Sequence, residues 1–212
     1  ARPIISDLMP KLLNSINNKD ELNNKLFQIN FRANSSNKVL VTLIYHKKLD
    51  EKIKDHAENL SKTLQISVIL RSKNDIFYTH GDLLEDHVKS LNTKLYQSDH
   101  SFYQPNHFHM PEMVKKVISF LNEPKDLIEL YCGSGTFTLP LSKYFNKVYA
   151  TENNRQSIRC IEKSINTLVS NFIGVFINAL FWLTYKSPWA LFIVKFDVPI
   201  DSLLIPSIIA LR

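Results

Sequence analysis

The sequence predicts an α/β fold: a Rossmann-like domain, incomplete in this chain, preceded by a small α+β domain. Three observations carry that prediction. Leu127–Tyr131 is a short apolar run followed at once by Gly133 and Gly135, two of only four glycines in 212 residues. A second apolar run, Val148–Thr151, ends on Glu152, 19 residues after Gly133. An acid about 20 residues beyond the first glycine of such a loop stands where ribose hydroxyls are gripped. Upstream, residues 25–97 switch between strand-like and helix-like patterns without a glycine loop of this kind.

Each element of the second domain follows from its pattern. Leu127–Tyr131 reads as a buried parallel strand. The glycines permit a tight turn and close approach of a ligand to the backbone. Phe137, Leu139, Leu141 and Tyr144 are expected on the inner side of a short helix with Pro140 in its first turn. Pro111 opens a helix with Met113, Val114, Val117, Ile118 and Leu121 inward, and Arg155–Val169 forms another through Ile158, Ile161, Ile165 and Leu168. Thr138 replaces the third glycine of a dinucleotide loop, so a ribose ligand without a pyrophosphate fits better. S-adenosylmethionine is such a ligand. The motif alone leaves open an ordinary β-α-β turn.

The first domain, residues 1–98, opens on apolar positions Ile4, Ile5, Leu8, Leu12, Leu13 and Ile16 at helical spacing, where Pro10 is expected to kink or divide the helix. Residues 14–25 read as a polar connection. Phe27, Ile29 and Phe31 alternate with polar residues, and Val39–Tyr45 supplies the second strand of a hairpin. On this pattern Phe27 shares a core face with Ile29 and Phe31. Asp50 is expected to cap a helix through Ile53, Ala57, Leu60 and Leu64, with Lys47, Lys48, Lys52 and Lys54 near its start. Those lysines read as a solvated face first and a phosphate track second. Ile66–Leu70, residues 75–80 and residues 93–97 supply further strands.

Composition bounds the function. A net charge of +6 suits a polyanionic partner weakly. Two cysteines are too few for a disulfide framework, which favours a reducing cytoplasm. The chain has no initiator Met and no signal-peptide pattern, as expected of a piece of a longer protein. No residue cluster suggests a metal site. Residues 172–212 break from the rest: they hold 8 of the 23 aromatic residues, and Ser164–Tyr185 carries no charge. Length alone would allow a membrane span, but Asn166, Ser170, Asn171 and Asn178 interrupt the run. An untypical end or a shifted reading frame is the expected cause, ahead of a membrane segment or an alternative subdomain.

Glu-Leu-Tyr-Cys-Gly-Ser-Gly-Thr-Phe at 129–137, with Ser-Phe-Tyr-Gln-Pro-Asn at 101–106, resembles the RNA uracil-C5-methyltransferase family. Lys-Leu-Phe-Gln-Ile at 25–29 and Tyr-His-Lys-Lys-Leu-Asp at 45–50 are similar to its bacterial tRNA (uracil-5-)-methyltransferases. The resemblance covers residues 1–171 and implies methylation of a T-loop uridine at C5 to ribothymidine, by a monomer with an RNA-contact domain (1–98) and a methyltransferase domain (99–171 here). It implies S-adenosylmethionine contacts at Gln104, Tyr131, Gly133, Gly135, Thr136 and Glu152, and RNA contacts at Phe27 and His46. Thr136 stands where the tRNA enzymes have asparagine, and Met110 where the family usually has asparagine. The implied chemistry adds a cysteine thiolate to uracil C6, methylates C5 and removes the C5 proton with a glutamate base. The motifs for nucleophile and base are absent, so no catalytic residue is assigned and this chain is expected to be inactive. Cys132 reads as structural, and Cys160 has no neighbouring His in sequence. A non-catalytic RNA- or nucleotide-binding fragment, or a relative acting on ribosomal RNA, are the alternatives.

Overall fold

The computed structural model describes residues 2–122 and 125–165. The expected tail at 172–212 and the end of the last helix, including Leu168, lie outside the described residues. The chain divides into two compact units, Ala1–His87 and Val88–Arg212. The division precedes the boundary expected after residue 98, because Val88, Leu91 and Leu95 contribute to the core of the second unit.

The first unit begins with α1 (Pro3–Asn17) and a short α2 (Asp20–Asn23), which lies within the expected polar connection. Pro10 does not divide α1. Leu8, Leu12 and Ile16, on both sides of the proline, are buried in one core, and that shared burial holds the helix together. β1 (Leu26–Ala33) and β2 (Val39–Tyr45) form the expected antiparallel hairpin. α3 (Glu51–Leu64) crosses over to β3 (Ser67–Arg71), which lies parallel to β2. β4 (Ile76–Tyr78) closes a mixed sheet of order β1-β2-β3-β4. The Asp50 carboxylate accepts the Ile53 N–H at 2.9 Å, the expected N-cap of α3. Ile53, Ala57 and Leu60 then face Val41, Leu43, Val68 and Leu70 in the core.

β5 (Leu84–Val88), which the sequence pattern missed, pairs with β6 (Thr93–Gln97). In the second unit, α4 (Met110–Ile118) buries Met110 and Val114. Met110, which stands where the family usually has asparagine, is part of the core of this unit. β7 (Asp126–Leu130) and β8 (Lys147–Thr151) pair in parallel, with Asp126 opposite Lys147 and Leu130 opposite Thr151. Between them lie the glycine loop, α5 (Thr138–Leu141) and a 3₁₀ turn at Ser142–Tyr144. α6 (Arg155–Ile165) follows.

Two expectations need correcting. β7 is not buried on both sides: Ile128 and Leu130 are 52% and 50% exposed, because the described sheet pairs β7 with β8 alone. Tyr144 is turned out to solvent, because α5 ends at Leu141 and the 3₁₀ turn breaks the helical spacing. Leu139 and Leu141 are buried as expected.

Candidate functional site

In the first unit the rings of Phe27 and His46 stack, with centroids 4.4 Å apart and planes 16° from parallel. A β-bulge makes this possible. Leu26 lies opposite Tyr45 and Gln28 opposite Ile44, so Phe27 is the extra residue on β1. Beyond the bulge, Ile29, Phe31 and Ala33 pack on the core, and strict alternation would send Phe27 there too. The inserted residue gives that place to Leu26, and Phe27 is left 63% exposed. The expectation that Phe27 shares a face with Ile29 and Phe31 fails for this reason. Lys25, at φ +57°, turns the chain into β1, and its carbonyl accepts the His46 N–H at 3.0 Å. Tyr45 is buried, with its hydroxyl donating to the Leu22 carbonyl at 2.7 Å, so the next residue, His46, points outward.

The lysines beside this pair are partly engaged. Lys47 donates to the Glu21 carbonyl at 2.6 Å, and Lys54 pairs with Glu51 at 2.7 Å.

In the second unit the loop after β7 closes on the acid after β8. The Glu152 carboxylate accepts the Gly133 N–H at 2.7 Å through Oε2. Its Oε1 accepts the N–H groups of Asn153 and Asn154, both at 2.8 Å. One carboxylate thus fixes both sides of the carboxyl edge of the two strands. Oε2 keeps a free acceptor direction for a hydroxyl donor. Gly133 and Gly135 have φ of +58° and +82°. A Cβ on Gly135 would lie 2.8 Å from the buried Ile161 side chain, so only glycine fits there. Ser134 donates to the Phe102 carbonyl at 2.9 Å, which brings the segment of Gln104 beside the loop.

The predicted cofactor residues divide by exposure. Tyr131 is 64% exposed and, at φ +59°, projects from the turn. Gln104 is half-buried. Thr136 is buried, and its Oγ1 has no hydrogen-bond partner.

Sequence reasoning missed Glu129. Its carboxylate accepts from Thr138 Oγ1 at 2.6 Å, linking β7 to the first residue of α5. Burial pushes its carboxyl up from 4.5 to about 7, against the opposing pull of the Thr138 hydroxyl. A glutamate within an apolar strand was the available signal. Burial first, then the charges of Glu129 and Glu152, push the Cys132 thiol well above its usual range. Cys132 is thus a poor thiolate, and Cys160 is fully buried.

Among the described residues no group of His, Cys, Asp and Glu could hold a metal ion, and no helix is long and apolar enough to cross a membrane.

The sequence profile of the tRNA (Uracil-5-)-methyltransferase family matches residues 1–176. The chain belongs to this family. Among curated family proteins, the tRNA/tmRNA (uracil-C(5))-methyltransferase of Aliarcobacter butzleri is 40% identical over 158 residues, covering 73% of this chain and 42% of that protein. Its namesake from Helicobacter hepaticus is 34% identical over 197 residues, covering 84% and 49%. The chain spans about half the length of these relatives. The crystal structure of Pyrococcus abyssi tRNA (uracil-54, C5)-methyltransferase, in complex with S-adenosyl-L-homocysteine, matches with a TM-score of 0.55 at 17% identity, covering 74% of this chain and 42% of that one. That likeness shows the fold: a Rossmann-like α/β domain, present here in part.

Proposed function

We propose that this chain is the RNA-contact and cofactor-loop portion of a tRNA uracil-C5-methyltransferase that converts a T-loop uridine to ribothymidine. The observation that carries the proposal is the Glu152 carboxylate clasped to the Gly133 N–H, in a chain of this family. The loop fits S-adenosylmethionine on its own geometry. Two positive-φ glycines leave the backbone open, and Tyr131 stands exposed beside them. Thr136 holds an unpartnered buried hydroxyl. When bound, the cofactor supplies an electrophilic methyl group.

The residues then have distinct tasks. Glu152 orients ribose hydroxyls while holding the loop shut. Gly133 and Gly135 allow close approach, with Gln104 and Tyr131 lining the approach and Thr136 supporting the loop from within. Phe27 and His46 offer a flat exposed surface on which an unpaired base of the RNA loop stacks. The two free cysteines support a reducing, cytoplasmic setting, and we read the chain as a monomer.

A second reading, a non-catalytic binding fragment, is favoured by the state of the thiols. Cys132 is held as a neutral thiol and Cys160 is buried, so neither is suited to attack uracil C6. The purified 212-residue chain is accordingly expected to bind without transferring methyl.

Calorimetric titration of S-adenosylmethionine into the chain and into Glu152→Ala tests the proposal. Loss of a charged acceptor should weaken binding by roughly 1.5–3 kcal/mol. Equal affinity in both proteins would remove Glu152 from the site.

A further inference from the structure

We propose that the edge of the second unit opposite the glycine loop is a further RNA-binding surface, one that grips phosphates. The inference rests on the reading that this chain's partner is RNA. Glycine loop and acid lie at the carboxyl ends of β7 and β8, whereas Lys125 and Lys147 lie at their amino ends, where Asn146 N–H donates to the Lys125 carbonyl at 2.7 Å. The two ends are about 15 Å apart for five-residue strands. Lys143 and Tyr144 sit in the turn that leads into β8, and Lys116, in the last turn of α4, and Phe120, just past its end, precede β7 in the chain.

Two features separate this edge from an ordinary solvated face. The first is interleaving of cations and rings. Lys116 Nζ lies 4.8 Å from the centroid of Phe120, which is 72% exposed, and Lys143 Nζ lies 5.3 Å from that of Tyr144. Alternating cations and exposed rings track a nucleic-acid backbone while offering stacking surfaces to unpaired bases. The second is that its lysines are not held in ion pairs. On the helices, Lys54, Lys62 and Lys115 each pair with a glutamate three or four residues before them. Lys125 and Lys147 make no ion pair among the described residues. Asp126 lies opposite Lys147 in the strand register, one acid against the lysines of the two strand ends. Compensation of the α4 carbonyl terminus accounts for Lys115 and Lys116, but not for lysines on strands and turns.

The test replaces Lys125, Lys143 and Lys147 together by Gln in the full chain, with a matching Glu triple variant. Binding to a fluorescent, unmodified tRNA transcript is read by anisotropy across a salt series, and circular dichroism checks the fold. Each phosphate contact contributes about 0.7–0.9 to the slope of log affinity against log salt. The Gln variant should lower that slope by about 2 and weaken binding about tenfold at low salt, with the Glu variant weaker still. Phe27→Ala should leave the slope unchanged, so the two RNA surfaces fail separately. An unchanged slope and affinity in the folded Gln variant would overturn the proposal while leaving the Phe27–His46 surface intact. So would lysine-dependent binding to phosphatidylserine vesicles with no lysine-dependent binding to the transcript.

Discussion

Phe27 and His46 present their rings to solvent from a β-bulge, whereas Glu152 commits its carboxylate to three backbone N–H groups around the glycine loop. The first site is made of side chains that the fold does not need. The second is made of backbone that the fold cannot do without. Truncating a ring in the first should change binding and leave stability alone. Altering the second should change both, because the groups that would meet a ligand are those that tie β7 to β8.

The sharpest way to break this contrast lies at Gly135. Gly135→Ala meets Ile161 at 2.8 Å and must hold φ near +82°, so it should destabilise the second unit by about 3 kcal/mol. Denaturant unfolding measures this, and a loss below about 1 kcal/mol would mean that the loop yields more readily than its packing implies.

Glu129 sharpens the same point through pH. Its folded-state pKa is raised from 4.5 to about 7, so the folded protein binds the extra proton in that interval. Stability should therefore be full below about pH 4.5, fall as pH rises toward 7, and level off above. Glu129→Gln should flatten that part of the profile. A profile equally steep in the variant would show that Glu129 is not its source.

The smallest effect belongs to the first unit. Asp50→Ala removes the cap of α3 and should cost about 1 kcal/mol by thermal unfolding, without altering the ring pair. Weakened RNA binding in that variant under native conditions would show that the first site is less separate from its scaffold than the bulge implies.

These contrasts also explain what could be read from the sequence. The glycine loop and Glu152 were legible because a fixed spacing of 19 residues reflects one strand-helix-strand length. The hairpin, the Asp50 cap and the core faces of α1 and α3 were legible from periodicity. The outward turn of Phe27 was not, because an inserted residue reverses the face of everything before it and leaves no composition signal. Nor was the exposure of Ile128 and Leu130: an apolar run reports what a strand could bury, and not which neighbours the described sheet supplies. β5 escaped because Glu85, Asp86 and His87 disguise a strand whose inward residues are Leu84, Asp86 and Val88. Asp86 is buried because the Ser35 N–H donates to it at 2.8 Å, a partner 51 residues away.

The most direct test is the affinity of Phe27→Ala for an unmodified tRNA transcript, measured by anisotropy alongside its unfolding midpoint. The structure predicts binding weaker by about 1–3 kcal/mol, the cost of one lost stacking surface, at an unchanged midpoint. A lowered midpoint, or an affinity equal to that of the parent chain, would contradict it.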